Sequence, residues 1–432
     1  MIDTIARDVF QHEINGGAEE MSRTLCRSAF SSIIWDMIDY ACGILDPAGN
    51  TIAQAPTIPA QLGIMPTAFR SMVNEIPLAE WHQGDVIVCN DPYFGCTHTP
   101  DITLFSPVFA DGRLVAVTST VAHHIDVGGA VPGSEVPDAR EIFEEGFRFP
   151  PVKLYERGRA NDALVKVFAR NVRDPKATIG DLNAQIAACR IGERRVVELC
   201  GKYGTEGFGR LANACLDYSE AYVRNRLAAF EPGENTAEVL IEDDTATAEP
   251  IRIRARVRVC RDRIVVDFSG SSEQRMNGLN CPYASALGMT HYAVKALLSP
   301  ELPQTDGCNR PIDIIIPAGS VLNPREPAAV SARHLTQQAV ADCVLKALLP
   351  FAPQTAAAGC QISFPTMTLG GFDRRRSDTE PAYFVVADIL GGGMGASASA
   401  PGLSGIDNHG SNCALLSAEV METVSPVRVV ET

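Results

Sequence analysis

What the sequence lacks bounds its chemistry first. No apolar run in its 432 residues approaches the roughly 20 that cross a bilayer. The opening MIDTIARDVFQHEING is neither a signal peptide nor a basic transit peptide. Positive charge is short. The 37 Lys and Arg stand against 52 Asp and Glu, and a net charge of −15 argues against binding a phosphate backbone. The 13 cysteines are scattered without a CxxC pair, and an odd number of dispersed thiols suits a reducing cytosol better than a disulfide framework. There is no GxSxG nucleophile elbow, no Walker A lysine and no kinase signature. These absences predict a soluble cytoplasmic protein that engages neither membrane nor nucleic acid and has no nucleotide motif of its own.

What is present centres on Gly84–Gly129. That stretch holds three of the eight histidines, His98, His123 and His124, with Asp85, Asp91, Asp101 and Asp126 near them. Imidazole and carboxylate together are the donor set of Zn, Mn and Fe sites. Asp85–Cys89 is a short apolar run bounded by Gly84 and the turn Asn90-Asp91-Pro92. Ile102–Phe109 and Arg113–Ala122 read as two strands joined by Asp111-Gly112, a strong hairpin signal. Pro100 excludes a helix interior between His98 and Asp101. Antiparallel pairing of the hairpin brings Asp101 at its start to His123 at its end, and His98 joins from the preceding turn. Neighbouring strand side chains point to opposite faces, so only one of His123 and His124 shares the site with His98. Histidines at strand ends often simply cap loops. Three of them with two aspartates, at the two ends of one hairpin, point instead to a His/Asp metal site.

The rest of the chain reads as mixed structure. Gly17–Ile33 carries Met21, Leu25, Ala29 and Ile33 at helical spacing. Tyr40–Leu45 and Thr51–Ala55 flank the turn Asp46–Asn50. Ala130–Pro151 reads as loop, a place for substrate contacts, with Glu144 and Glu145 as solvated charges. Asn161–Phe230 has long helical patterning. Ile251–Val259 alternates apolar residues with Arg252, Arg254, Arg256 and Arg258, a strand whose basic face is matched by Glu242-Asp243-Asp244 rather than by a ligand. Ile264–Phe268 completes that hairpin. Helices near Ala286–Leu298 and Leu335–Leu349 and strands at Ile312–Ile316 and Tyr383–Ile389 follow. Gly391–Gly395 lacks the Lys-Ser/Thr of a phosphate loop, so a tight chain crossing is its expected role. Ala400–Asn412 reads as a flexible loop carrying His409, and a strand precedes Val427–Thr432. The expected fold is α+β (mixed α/β) with several mixed sheets. Residues 1–160 form a domain with the metal site at the end of its hairpin, 161–230 a helical insert, and 231–432 a mixed α/β domain.

Asn90-Asp91-Pro92-Tyr93, Thr97-His98-Thr99-Pro100-Asp101 and Ala122–Gly129 resemble the signature blocks of the hydantoinase B/oxoprolinase family. The likeness extends through Glu19–Phe30, Asp39–Pro66, Glu145–Gly158, Val266–Pro282, Gly307–Pro317 and Gly391–Gly395. It implies a B subunit of an ATP-dependent hydantoinase, 5-oxoprolinase or caprolactamase, or a related subunit of an acetone or acetophenone carboxylase. It adds Asp39 to the ligands, because its place in MIDYACGILD resembles that of a metal-binding carboxylate in some relatives. It also implies a further C-terminal segment that this chain lacks, encoded elsewhere, truncated or lost.

The expected function is therefore a metal-dependent subunit that opens a cyclic amide or imide. His98, Asp101, His123 and Asp39 would hold a divalent transition ion (Zn, Mn or Fe). His124 and Asp126 would carry protons or orient ligands, and Asp91 is a further catalytic candidate. ATP would act through a hydantoinase A-like ATPase partner in a hetero-oligomer. Two alternatives stand beside this reading: a ketone carboxylase subunit, and a non-catalytic scaffold holding a structural ion.

Overall fold

The computed structural model describes residues 3–242, 249–355, 357–361, 365–375, 380–406 and 409–431. The first helix, α1 (Thr4–Ser28), starts well before Gly17 because Asp3 accepts from the Ile5 amide and caps it. Phe10 and Ile14 extend the buried stripe of Met21 and Leu25. A short α2 (Ser32–Trp35) leads into β1 (Tyr40–Leu45) and β2 (Thr51–Gln54). The turn between those strands is tied by Asp46 Oδ1, which accepts from the amides of Ala48 and Asn50. Helices α3 (Pro59–Leu62) and α4 (Met65–Glu75) precede β3 (Val86–Cys89).

The expected hairpin is present as β4 (Asp101–Ala110) and β5 (Arg113–His123). Asp111 and Gly112 take φ of 50° and 73°, the left-handed pair that a two-residue hairpin turn requires. With β6 (Val152–Glu156) and β7 (Arg159–Ala160) they complete an antiparallel sheet of order β2-β1-β5-β4-β3-β6-β7. The loop before β6 is interrupted by a 3-10 turn at Ile142–Glu145. Far from being solvated, Glu145 is fully buried and accepts from the amides of Val330 and Ser331.

The helical stretch resolves into α5 (Asp162–Asn171), α6 (Pro175–Tyr203) and α7 (Thr205–Ala228). Helix α6 crosses β4 and β5 and lies along α1. Its buried Asp181 accepts from the Phe30 amide at 2.6 Å and from the Ser31 hydroxyl at 2.5 Å, locking the start of α2 to α6.

A second, mixed sheet has the order β11-β10-β9-β8, built from β8 (Gly233–Ile241), β9 (Ile251–Val259), β10 (Ile264–Asp267) and β11 (Ile312–Ile315). Alternate residues of β9 are buried, as its period of two predicts. Arg254 lies 3.5 Å from Glu238 and Arg256 lies 2.6 Å from Asp267. Asp243 and Asp244 fall outside the described residues. Helices α8 (Tyr283–Leu298) and α9 (Arg333–Leu348) pack against each other, with α9 on β8 and β9. A hairpin of β12 (Thr366–Asp373) and β13 (Ala382–Ile389) forms the third sheet.

The glycine run is a tight crossing: a Cβ on Gly395 would sit 2.0 Å from the Ala358 carbonyl oxygen. The strand expected before Val427 is instead α10 (Ala418–Val424), because the Ser417 side chain caps it by accepting from the Val420 amide. Among the described residues, no helix is long and apolar enough to cross a membrane.

One contact sets the position of α3. A Cβ on Gly63 would stand 2.7 Å from Gly288 Cα of α8, so only bare backbone fits there. Gly288→Val is expected to cost about 1–3 kcal/mol by overpacking. Chemical denaturation of the variant beside wild type measures the loss.

Candidate metal centre

The register of β4 and β5 places Asp101 directly opposite His123. Strand β1 pairs with β5, Tyr40 against Ala122, so Asp39 arrives beside His123, whose amide donates to the Asp39 carbonyl at 3.1 Å. His98 closes a turn in which the Asp101 amide donates back to its carbonyl at 3.2 Å. Three separate chain segments therefore converge on one point.

His98 Nε2 lies 3.4 Å from Asp101 Oδ2, and His123 Nδ1 lies 3.6 Å from Asp101 Oδ1 and 3.7 Å from Asp39 Oδ2. These gaps exceed good hydrogen bonds. They come within about 0.2 Å of the separation of two donors on one ion, roughly 3–3.5 Å when each bond is about 2.1 Å. Donor atoms of His98, Asp101 and His123 all lie within 4.8 Å of one another. Both ring nitrogens of His98 are buried without a hydrogen-bond partner, an arrangement that costs free energy unless something ligates them. The residues fit a divalent ion.

Electrostatics agree with that fit. Burial, reinforced by the Arg333 cation, pushes His98 down to about 4, and burial with the His98 ring holds His123 well below its usual range. Burial pushes Asp101 up, but the polar surroundings, with the His98 contact and the permanent Arg333 cation, hold the carboxyl below its usual range. Neutral imidazoles and an ionised carboxylate are the forms a metal needs.

The carboxylates are held in orientation. Gln61 of α3 donates to Asp39 Oδ1 at 2.8 Å and to Asp101 Oδ1 at 3.0 Å. Thr97 Oγ1 donates to Asp101 Oδ2, and Arg333 of α9 reaches the same oxygen at 3.3 Å. A cavity of about 40 Å³ opens beside the cluster, lined by Asp39, Gln61, His123, Glu135, Arg333 and Gln337 among others. Glu135 Oε1 stands 4.0 Å from His98 Nδ1, and burial raises its carboxyl to about 7.

The remaining sequence candidates lie elsewhere. His124 points to the opposite face of the sheet, where its Nε2 meets Gln185 Oε1 of α6 at 2.9 Å. Asp126 accepts from the amides of Gly128, Gly133 and Arg173 and pairs with the Arg173 guanidinium at 2.9 Å. It shapes the loop that delivers Glu135. Asp91 caps a 3-10 turn by accepting from the Tyr93 amide and lies 3.3 Å from Arg148. Gln61, Glu135, Arg333 and Gln185 escaped the sequence reading. For the three on helices the one signal is polarity at positions that helical spacing buries, as in Arg333-His334 and Gln337-Gln338 at the start of α9, whereas Glu135 sits in the loop after His124 and carries no such pattern.

Comparison with known proteins follows the same lines. The chain is 31% identical to the B subunit of a putative D-/L-hydantoinase from a Pseudomonas species (strain NS671), over 99% of its own length and 74% of that protein. It superposes on ATP-dependent caprolactamase from Pseudomonas jessenii with a TM-score of 0.90 and 27% identity, covering 100% of this chain and 74% of that one. Acetone carboxylase in its nucleotide-free form shares the fold, with a TM-score of 0.87 and 20% identity over 98% of this chain and 58% of that one. Across the curated relatives, the chain spans from about a third to about three quarters of their length. The hydantoinase B/oxoprolinase profile matches residues 3–432, and this chain belongs to that family.

Proposed function

We propose that the chain is the metal-dependent B subunit of an ATP-dependent amidohydrolase that opens a cyclic amide or imide, working with an ATPase-like partner. The observation that carries this reading is a neutral-imidazole, ionised-carboxylate cluster at the wall of a cavity of mixed polar and apolar lining. His98, Asp101, His123 and Asp39 would hold the ion, which would polarise a carbonyl or sharpen a water for attack. The chain's own groups complete the site. Arg333 brings fixed positive charge to the wall, where developing negative charge on a carbonyl oxygen would be stabilised. The Gln337 amide can orient a ring N–H or C=O. Glu135, beside His98, is placed to carry a proton to the ring nitrogen that leaves.

A closed site without neighbouring space would suit a structural ion; the adjoining cavity, with room for a few waters, supports an open coordination position. The likeness to acetone carboxylase reaches the fold alone, so ring opening is preferred over ketone carboxylation. The test is to combine the chain with its partner, metal and ATP, then offer lactams, hydantoins and 5-oxoproline beside acetone with bicarbonate. Ring opening is expected; carboxylation without ring opening overturns the proposal.

The two adjacent histidines should separate. His124→Ala is expected to keep the ion and lower turnover roughly tenfold, since it supports the ligand strand through Gln185 without touching the cavity. Metal analysis and turnover of the same preparation check this, and loss of the ion from His124→Ala would reverse the assignment.

A further inference from the structure

A second group of chemistry-bearing side chains lies apart from the first, in the C-terminal half. Asp342 of α9, Cys360 and His409 come from three separate stretches, and one donor atom from each lies within 4.8 Å of the others. His409 Nε2 is 2.7 Å from Asp342 Oδ1, and the ring is buried. The other ring nitrogen, Nδ1, stands 3.5 Å from the Tyr292 hydroxyl. The segment carrying Cys360 is pinned on both sides of it: the Ala358 amide donates to Ala396 O, and the Gln361 amide to Gly393 O. The cluster walls a cavity of about 630 Å³ whose other lining includes Leu297, Leu345, Leu349 and Met394.

We propose that Asp342, Cys360 and His409 form a second divalent-metal site, of the zinc class. The plain alternative is an Asp–His pair that merely ties a loop to α9. That pair alone needs no thiol, whereas here a cysteine is held in place beside both partners. One thiolate, one imidazole and one carboxylate balance a divalent charge. The sulfur selects zinc or cobalt over the oxygen-preferring ions that the first centre also accommodates. Ligands of a zinc ion stand roughly 3.3–3.8 Å apart. On binding, the 2.7 Å hydrogen bond between His409 and Asp342 would open by rotation of those side chains, and the separations from the Cys360 sulfur, already within 4.8 Å, would close towards that range. Three protein ligands leave a fourth position facing the large, mostly apolar cavity. The same helix carries Arg333 at its start, so an ion on Asp342 would brace the helix that lines the first cavity. This inference does not rest on the proposed function.

Cobalt distinguishes the two centres, because only this one contains sulfur. The full chain, freed of metal and titrated with Co²⁺, is expected to show a thiolate-to-cobalt charge-transfer band in the near ultraviolet. The band should persist in His98→Ala and vanish in Cys360→Ser. In parallel, zinc analysis should give about two ions in wild type and about one in each variant. As a check that does not depend on the cysteine variant folding, zinc should raise the melting temperature of His98→Ala but not of His98→Ala combined with Asp342→Asn. A band missing from wild type, a band surviving in Cys360→Ser, or an equal zinc shift with and without Asp342 overturns the proposal.

Discussion

Replacing His98 or His123 by alanine is expected to remove one divalent transition ion per chain and to abolish ring opening. Each imidazole is one of at most four donors. Losing a ligand therefore costs far more than the roughly 10- to 100-fold penalty of losing an orienting partner. The surroundings make substitution by water a poor remedy: His98 is fully buried and Arg333 adds positive charge nearby. A cation left with fewer donors would face that charge with less compensation. Elemental analysis of the purified variants, alongside wild type and His124→Ala, measures the effect. Full occupancy in both alanine variants would remove the metal from the proposed function.

The isolated chain is expected to leave every cyclic amide intact, with or without ATP, and to gain ATP-dependent ring opening only when its ATPase-like partner is added. Amide resonance resists attack, and the site has polarising charge but no phosphoryl donor with which to trap the carbonyl oxygen and abolish that resonance. Phosphorylating that oxygen makes the carbon electrophilic enough for water to add and the ring nitrogen to leave, and the chain shows no Walker A or kinase motif with which to do so. The glycine run is not free to cradle phosphate, being consumed by its crossing with residues 358–361. Ring opening is followed with the purified chain, metal and substrate, first alone, then with ATP, then with the partner. Rapid ATP-independent hydrolysis by the isolated chain would leave a self-sufficient metallohydrolase and end the heteromeric reading.

The parts of this molecule legible in sequence were those set by neighbours along the chain. Asp111-Gly112 fixed the hairpin turn, and with it the meeting of Asp101 and His123, through local backbone geometry. The strict alternation of Ile251–Val259 specified a half-buried strand in the same way. What stayed hidden depends on packing between distant segments. Gln61 reaches both carboxylates only because α3 sits close against α8, and Arg333 lies 232 positions from Asp101. Glu145 resembles a surface charge in sequence because the amides that donate to it belong to residues 330 and 331. The C-terminal helix resembles a strand in sequence because its seven residues are too few to show a helical period and include the β-branched Val420, Thr423 and Val424.

The reach of Arg333 across the chain also separates two events during synthesis. All four candidate ligands, Asp39, His98, Asp101 and His123, leave the ribosome before residue 124, and the sheet holding them is complete at Ala160. The guanidinium that neutralises Asp101 emerges 210 positions after His123, some tens of seconds later at about 5–20 residues per second. In that interval the cluster has its full negative charge and no competing cation from α9. Were the sheet to form as it emerges, the proposed ion would meet the cluster before the chain's own arginine does, and the closing of α9 would then enclose it.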